Sequence, residues 1–339
     1  MNRVLLAGVL MLWSGGAAAT AECVGTDLIA ALPQDQREQL DRAVADAPFN
    51  RGILWQARKD TMVMTLVGTF HFADPRHDST MRRLSGPMQD AAALYVEAGP
   101  KEKARLKQAL AEDPTLMVNP DGATLPERLS GAEWSLLSDA MALRGTPAIV
   151  TAKLRPWYVA MMLGISPCMM RQMAGNGAEG GGLDDRLIQS AQAVDLPVRA
   201  LEPWNTIFAL FRDLSPAQEL DMIRASLPMA AHADDYAVTL ANAYFRGDVW
   251  AIWEFSRQDA YRESGLDRQS VDEQMTLART QLMDRRNQSW IAPLTRGAAE
   301  AAKSGKGIIA GFGALHLPGD QGVLRLLERD GWTIERLDG

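Results

Sequence analysis

Two apolar runs that each pass into a Gly-x-x-His segment constrain this chain more than any other feature. Thr61 to Val67 (TMVMTLV) reads as a strand and continues straight into Gly68-Thr69-Phe70-His71. Gly307 to Gly311 (GIIAG) reads as another and leads to Gly313-Ala314-Leu315-His316. Ala93 to Val96 is a short apolar strand ending at Glu97, and Leu196 to Leu201 (LPVRAL) is a strand ending at Glu202. Where strands lie parallel in an open sheet, ligands bind outside their carboxyl ends. His71, Glu97, Glu202 and His316 are therefore expected to line one crevice, although they stand far apart in sequence. Gly68 and Gly313 lack a Cβ where the chain leaves the sheet, which permits a tight turn and a close approach. Gly319 and Gly322 do the same before the last helix, whose N-terminus suits an anion.

The rest of the chain fills in around these strands. Ile53 to Arg58 (ILWQAR) alternates like a strand and, across a turn at Lys59-Asp60, pairs with Thr61 to Val67 as a hairpin. Helices are expected over Asp35 to Ala45, Ser79 to Ala92, Leu183 to Val194 and about Asp320 to Asp330, the last stopped by Gly331. Trp332 to Leu337 reads as a final strand. Residues 101–175 and 215–300 are helical in pattern, and Pro156 to Met170 is a buried core helix or helical pair. The Met-rich face there reads as gap-filling core before it reads as a cofactor box. Gly175 to Gly182 (GNGAEGGG) is a loop without the G-x-G-x-x-G order of a dinucleotide site. Strands alternating with helices predict an α/β fold, a mostly parallel sheet with a helical insertion or cap.

The N-terminus reads as an export signal. Arg3 precedes the apolar run Val4 to Trp13, and Ala19-Thr20-Ala21 fits a cleavage site. Residues 1–21 are thus expected to be a signal peptide and 22–339 a single domain with its helical insertions at about 101–175 and 215–300. The run is too short for a membrane anchor, so no stable span is expected after cleavage and the chain is placed in the periplasm or secreted. An oxidising compartment allows the two cysteines one disulfide, Cys23–Cys168, with two buried thiols as the alternative. The formal net charge of -7 argues against nucleic acid, which needs a basic face.

The chain has four histidines, and two of them follow apolar strands in matching contexts. Two imidazoles and a carboxylate make a common first shell for a divalent metal, which would polarise a carbonyl and generate hydroxide near neutral pH. The other reading is two satisfied polar residues at strand ends. His77 is expected in a solvated loop and His232 on the surface. Arg286 and Asn287 precede Trp290 on a helix; Arg286 is a candidate to bind a substrate carboxylate or an oxyanion. There is no G-x-S-x-G elbow and no H-E-x-x-H.

Taken in order, these segments resemble the TraB/GumN family, relatives of the TIKI metalloproteases. The matching pieces are Gly52-Ile53-Leu54-Trp55 through His71, Tyr95-Val96-Glu97-Ala98, Gly182-Leu183-Asp184, Leu196-Pro197-Val198 to Glu202, Arg286-Asn287, and Gly313 to Gly319 through Gly331-Trp332. The resemblance implies an erythromycin esterase-like fold and a site of paired histidines, a strand-end glutamate and an arginine. In the TIKI branch it goes with peptide-bond hydrolysis dependent on manganese or cobalt.

The leading expectation is an exported metal-dependent hydrolase, a peptidase, acting on a peptide or small-molecule substrate. His71, His316 and Glu97 would hold manganese or cobalt, with zinc as a further option. Glu97 or Glu202 would be the general base, with Arg286 and Asn287 beside them. One alternative drops the metal and makes one histidine the base together with Glu97. Another is a non-catalytic periplasmic protein that binds a small ligand or haem.

Overall fold

The computed structural model describes residues 23–176, 181–212 and 214–338. The signal-peptide expectation and residues 177–180 of the Gly175–Gly182 loop lie outside them. Six strands form one sheet: β1 (Leu54–Lys59), β2 (Met62–Thr69), β3 (Ala91–Val96), β4 (Val198–Ala200), β5 (Gly307–Gly313) and β6 (Thr333–Arg336), in the order β4-β3-β5-β2-β1-β6. β4, β3, β5 and β2 are mutually parallel, whereas β1 is antiparallel to both β2 and β6, so only β1 is reversed. The mostly parallel α/β sheet is the one the strand pattern predicts. The β1–β2 turn falls at Lys59-Asp60, where Asp60 takes φ 53.

Helix α1 (Gln34–Ala45) precedes the sheet, and α2 (His77–Asp90) joins β2 to β3. Between β3 and β4 run α3 (Pro100–Glu112), α4 (Leu125–Arg128), α5 (Gly131–Ala142), α6 (Ala148–Thr151), α7 (Pro156–Leu163), α8 (Pro167–Asn176) and α9 (Leu183–Ala193). Between β4 and β5 run α10 (Thr206–Phe211), α11 (Pro216–Ala230), α12 (Ala233–Phe245), α13 (Val249–Glu263), α14 (Arg268–Arg279) and α15 (Arg285–Ala302), and α16 (Val323–Arg329) joins β5 to β6.

Two helical layers sandwich the sheet. On one face Trp290, Leu294, Ala298 and Ala301 of α15, with Val323, Leu324 and Leu327 of α16, bury Met64, Leu66, Ala310 and Phe312. On the other, Leu84 and Met88 of α2 and Leu183, Leu187, Ile188 and Ala191 of α9 bury Val67, Leu94, Val96 and Ile309. These positions recur every three or four residues, the stripe a helix needs to cover a sheet. Each fully buried leucine contributes about 1.5–3 kcal/mol. Coverage on both faces explains why β2 and β5 read as continuous apolar runs and not as alternating ones.

The two helical insertions merge into a second core. Leu125, Leu137, Met141, Val159 and Leu163 from the first meet Leu220, Ile223 and Ala230 of α11. The apolar stretch from Pro156 is a helical pair, broken after Leu163, with Pro167 opening α8. Buried Arg144 donates to the carbonyls of Ala140, Met162, Leu163 and Ile165, satisfying helix ends that would otherwise face apolar surroundings. Cys23 and Cys168 lie at disulfide distance, Cα to Cα 5.6 Å, which ties the segment before α1 to α8. No helix among the described residues is long and apolar enough to cross a membrane.

His77 corrects an expectation. It opens α2 and is fully buried, not solvated, among Phe70, Tyr244 and Phe245. The Asp74-Pro75-Arg76 turn folds it beneath the end of β2, where Nε2–H donates to the Phe72 carbonyl at 3.0 Å. Burial lowers its pKa and leaves it neutral. His232 is on the surface, as expected, its side chain 69% exposed.

Candidate active site

The sheet register brings the strand ends together. Thr69 of β2 pairs with Gly313 of β5, so the two Gly-x-x-His segments leave the sheet side by side. Val96 of β3 pairs with Gly311 on the other flank of β5, which sets Glu97 beside it. Ala200 of β4 pairs with Val96, and the Glu202 N–H donates to the Glu97 carbonyl at 3.1 Å. Along the sheet the order is Glu202, Glu97, His316, His71.

Arg286 of α15 binds this row into one unit. Its Nε donates to Glu202 at 2.6 Å, Nη2 to Glu97 at 2.6 Å and to Glu202 at 3.0 Å. Nη1 faces His316 Nε2 at 3.3 Å and the Leu282 carbonyl at 3.0 Å. All five guanidinium hydrogens thus have acceptors. Trp290 Nε1 adds a bond to Glu202 at 3.0 Å, and the Gly313 N–H donates to the other Glu97 oxygen at 2.6 Å. Glu202 is therefore an anchor for Arg286, with three hydrogen bonds from Arg286 and Trp290 on its two oxygens.

The histidines are held in opposite ways. His316 sits in a single 3-10 turn, Ala314–His316, and is buried against the Trp290 ring at 4.6 Å. Its Nδ1 lies 2.6 Å from Asn287 Oδ1, while Asn287 Nδ2 donates to the Gln321 carbonyl at 2.8 Å. The amide orientation makes Nδ1 the protonated nitrogen, so Nε2 carries the lone pair that faces Arg286. Burial pushes the His316 pKa down to about 4, against the pull of Glu97, so it is neutral at pH 7. Asn287 is 2% exposed and touches His316 from behind, so it positions the imidazole and is placed behind the reacting face. His71 stands at the rim, its side chain 61% exposed, with Nδ1 2.8 Å from Asp184 Oδ2. The Asp184 carboxylate raises the His71 pKa to about 9, opposed by desolvation. Burial pushes Glu97 up, but His316, Arg286 and His71 outweigh it and hold the carboxyl below its ordinary value. Glu97 is thus ionised near neutral pH.

Asp184 is the residue that reading the sequence missed. It stands in the first turn of α9, where an acidic residue is ordinarily explained by the helix dipole. Its other oxygen accepts from Thr69 Oγ1 at 2.5 Å, so it spans the end of β2. Gly182 makes that approach possible: a Cβ there would lie 2.2 Å from the His71 carbonyl carbon and the Phe70 oxygen. Gly313 is the other close approach, since a Cβ on it would lie 3.4 Å from Glu97 Oε1 and 3.6 Å from His71 Nε2.

The donor set has the chemistry of a divalent-metal site, because each imidazole anchors Nδ1 on a side-chain oxygen and turns Nε2 inward. As placed, the inward-facing atoms of His316 and Glu97 are engaged by other protein groups. Among the described residues no group of three His, Cys, Asp or Glu side chains is set to hold one. The Arg286 guanidinium stands against His316 Nε2, and both Glu97 oxygens already accept hydrogen bonds. A separate cavity of about 320 Å³, between Trp250, Arg257 and Gln321, shares Asn287 with the site but none of the four strand-end residues. The convergence of charged side chains, and not that cavity, marks the candidate site.

A family model described as the TraB/PrgY/gumN family matches residues 53–336, well over half of the chain. Neither a curated protein nor a solved structure matches it.

Proposed function

From the premise that this chain belongs to the TraB/PrgY/gumN family, we propose that it is an exported hydrolase of peptide or related acyl bonds, with His71, His316 and Arg286 as its reacting groups. The observation that carries this reading is the opposite protonation of two imidazoles flanking Gly313, with a clamped guanidinium beside one of them. Paired titratable groups whose pKa values are driven apart are the usual basis of an acid/base assignment.

His316 is the base: its one Nε2 lone pair accepts from Arg286 Nη1 in the resting site and is released to a substrate water when that N–H turns to the scissile carbonyl oxygen. A water between Nε2 and the scissile carbonyl gives its proton to His316 as its oxygen forms the new bond to carbon. The Arg286 Nη1 hydrogen that has left Nε2 bonds to the oxyanion, while the other stays on the Leu282 carbonyl. His71 delivers its Nε2 proton to the leaving group as the acyl bond breaks, and solvent carries the proton from His316 back to His71. Glu97 and Glu202 hold Arg286 in place, Asn287 orients His316, and Asp184 keeps His71 charged. His316 must be neutral and His71 protonated, so activity is expected between about pH 4 and about pH 9, falling on either side.

A second reading retains the metal, favoured by the Nδ1 anchoring of both imidazoles. His71, His316 and Glu97 would then hold manganese, cobalt or zinc, and the ion would supply Lewis-acid activation of the carbonyl or of water.

The test is hydrolysis of a mixed peptide library by the purified protein, with and without EDTA, alongside His71→Ala and His316→Ala. Activity that resists EDTA and disappears in both variants supports the acid/base reading. Loss with EDTA, restored by manganese or cobalt, supports the second. Cleavage that persists in both variants refutes the site.

A further inference from the structure

Beside the Arg286 clamp lies a cavity of about 270 Å³ that shares Glu202 and Arg286 with the crevice. Helix α10 turns Thr206, Ala209 and Leu210 toward it, the i, i+3, i+4 face of one short helix. Phe208 and Phe211, on the other side of α10, pack on Trp157 with ring centroids 5.8 and 5.3 Å away. Leu201 and Pro203 extend the apolar lining as the chain leaves β4.

Arg285 also lines this cavity. It is exposed, and its guanidinium makes no hydrogen bond or ion pair to another described residue. The chain elsewhere pairs many of its arginines with acids, and the adjacent Arg286 is fully engaged. A π-helical segment, Thr280–Asp284, joins α14 to α15 immediately before these two arginines. A π turn adds a residue to the helical turn, and such insertions concentrate at functional sites. Here it shifts the helical phase that follows, and Gln281 within it lines the same cavity.

We propose that this cavity is the subsite for a carboxylate-bearing substrate, with an apolar group against α10 and the carboxylate on Arg285. Arg285 is then a specificity-determining residue. In calling the ligand a substrate the inference rests on the hydrolase reading, but binding can be measured without turnover.

The purified protein is titrated calorimetrically with N-acetylleucine and with its neutral isostere N-acetylleucinamide. The acid should bind about tenfold more tightly, the scale of one added charge-assisted hydrogen bond. Arg285→Gln should bring the acid down to the affinity of the amide, and Ala209→Glu should do so by repulsion. Both positions are exposed, and an unchanged Tm would verify folding. Equal binding of acid and amide to the unaltered protein overturns the proposal, as does no binding of either at millimolar concentration. So does an acid preference that survives in Arg285→Gln. His316→Ala, inactive on the proposed mechanism, should keep the acid-to-amide ratio, so failure of the subsite and failure of the hydrolase reading show up separately.

Discussion

Replacing Arg286 with methionine keeps most of the side-chain volume and removes the charge on which the strand-end row depends. In the native protein the guanidinium lies 2.6 Å from Glu97 and 2.6 Å from Glu202, with side chains only 20% and 10% exposed. Without it, two carboxylates remain close together and largely desolvated, with only the Gly313 N–H and Trp290 Nε1 bonding to them. Breaking a buried ion pair from one side costs about 3–5 kcal/mol, and that is the loss expected at pH 7 from urea unfolding of Arg286→Met. The pH dependence is the sharper test. Native Glu97 is held below its ordinary value of 4.5, so its contribution is present above that pH and is lost as pH falls. In the variant the shift reverses, because burial and the neighbouring carboxylate both favour the protonated form. The stability gap between the two proteins should therefore narrow on going from pH 7 to pH 4.5. Arg286→Lys should recover only part of the loss, since one ammonium cannot bridge two carboxylates and an imidazole. A loss below about 1 kcal/mol at pH 7, or a gap that does not change with pH, would refute the clamp.

Asp184→Asn should let the His71 pKa fall from about 9 toward its ordinary 6.5, read from the His71 ring proton by NMR. The native ion pair stabilises fully below about 6.5 and is lost as pH rises through about 9, so the variant should lack that dependence; an unmoved titration contradicts the assignment. Gly182→Ala forces a Cβ within 2.2 Å of the His71 backbone and should cost about 1–3 kcal/mol, with wild-type stability in thermal unfolding as the contrary result. Cys168→Ala opens a link between residues 145 positions apart and should cost about 2–5 kcal/mol. Equal urea midpoints for variant and parent would contradict that.

The four strand ends were legible because strand length and the residue that stops it are local properties. Thr61 to Val67 and Gly307 to Gly311 carry no charged residue and are mostly apolar, and that pattern holds whatever their neighbours are. Partner identity is not local. Nothing near Glu202 in sequence announces that Arg286 and Trp290 bond to its oxygens, so its part as an anchor was not visible. His77 looked solvated because Asp74, Arg76 and Asp78 surround it in sequence, whereas the aromatic walls that bury it come from the end of β2 and from α12. Asp184 was visible within Gly182-Leu183-Asp184, but its task depends on α9 crossing beneath the end of β2. The role of Asn287 likewise follows from which way its amide faces, a matter of one hydrogen bond to Gln321.

The place of β5 in the sheet has a consequence for how the protein comes into being. It lies between β2 and β3, yet Gly307 follows Val96 only after the whole helical region. Until β5 arrives, the hairpin and the β3–β4 pair are separate fragments, each with a bare edge able to pair with another chain. Joining them requires contacts between distant parts of the sequence, which makes folding slow. The same strand delivers His316 and the Gly313 amide that orients Glu97. The row of strand-end side chains is therefore incomplete for as long as these two edges stay bare, and insertion of β5 completes the one as it covers the other.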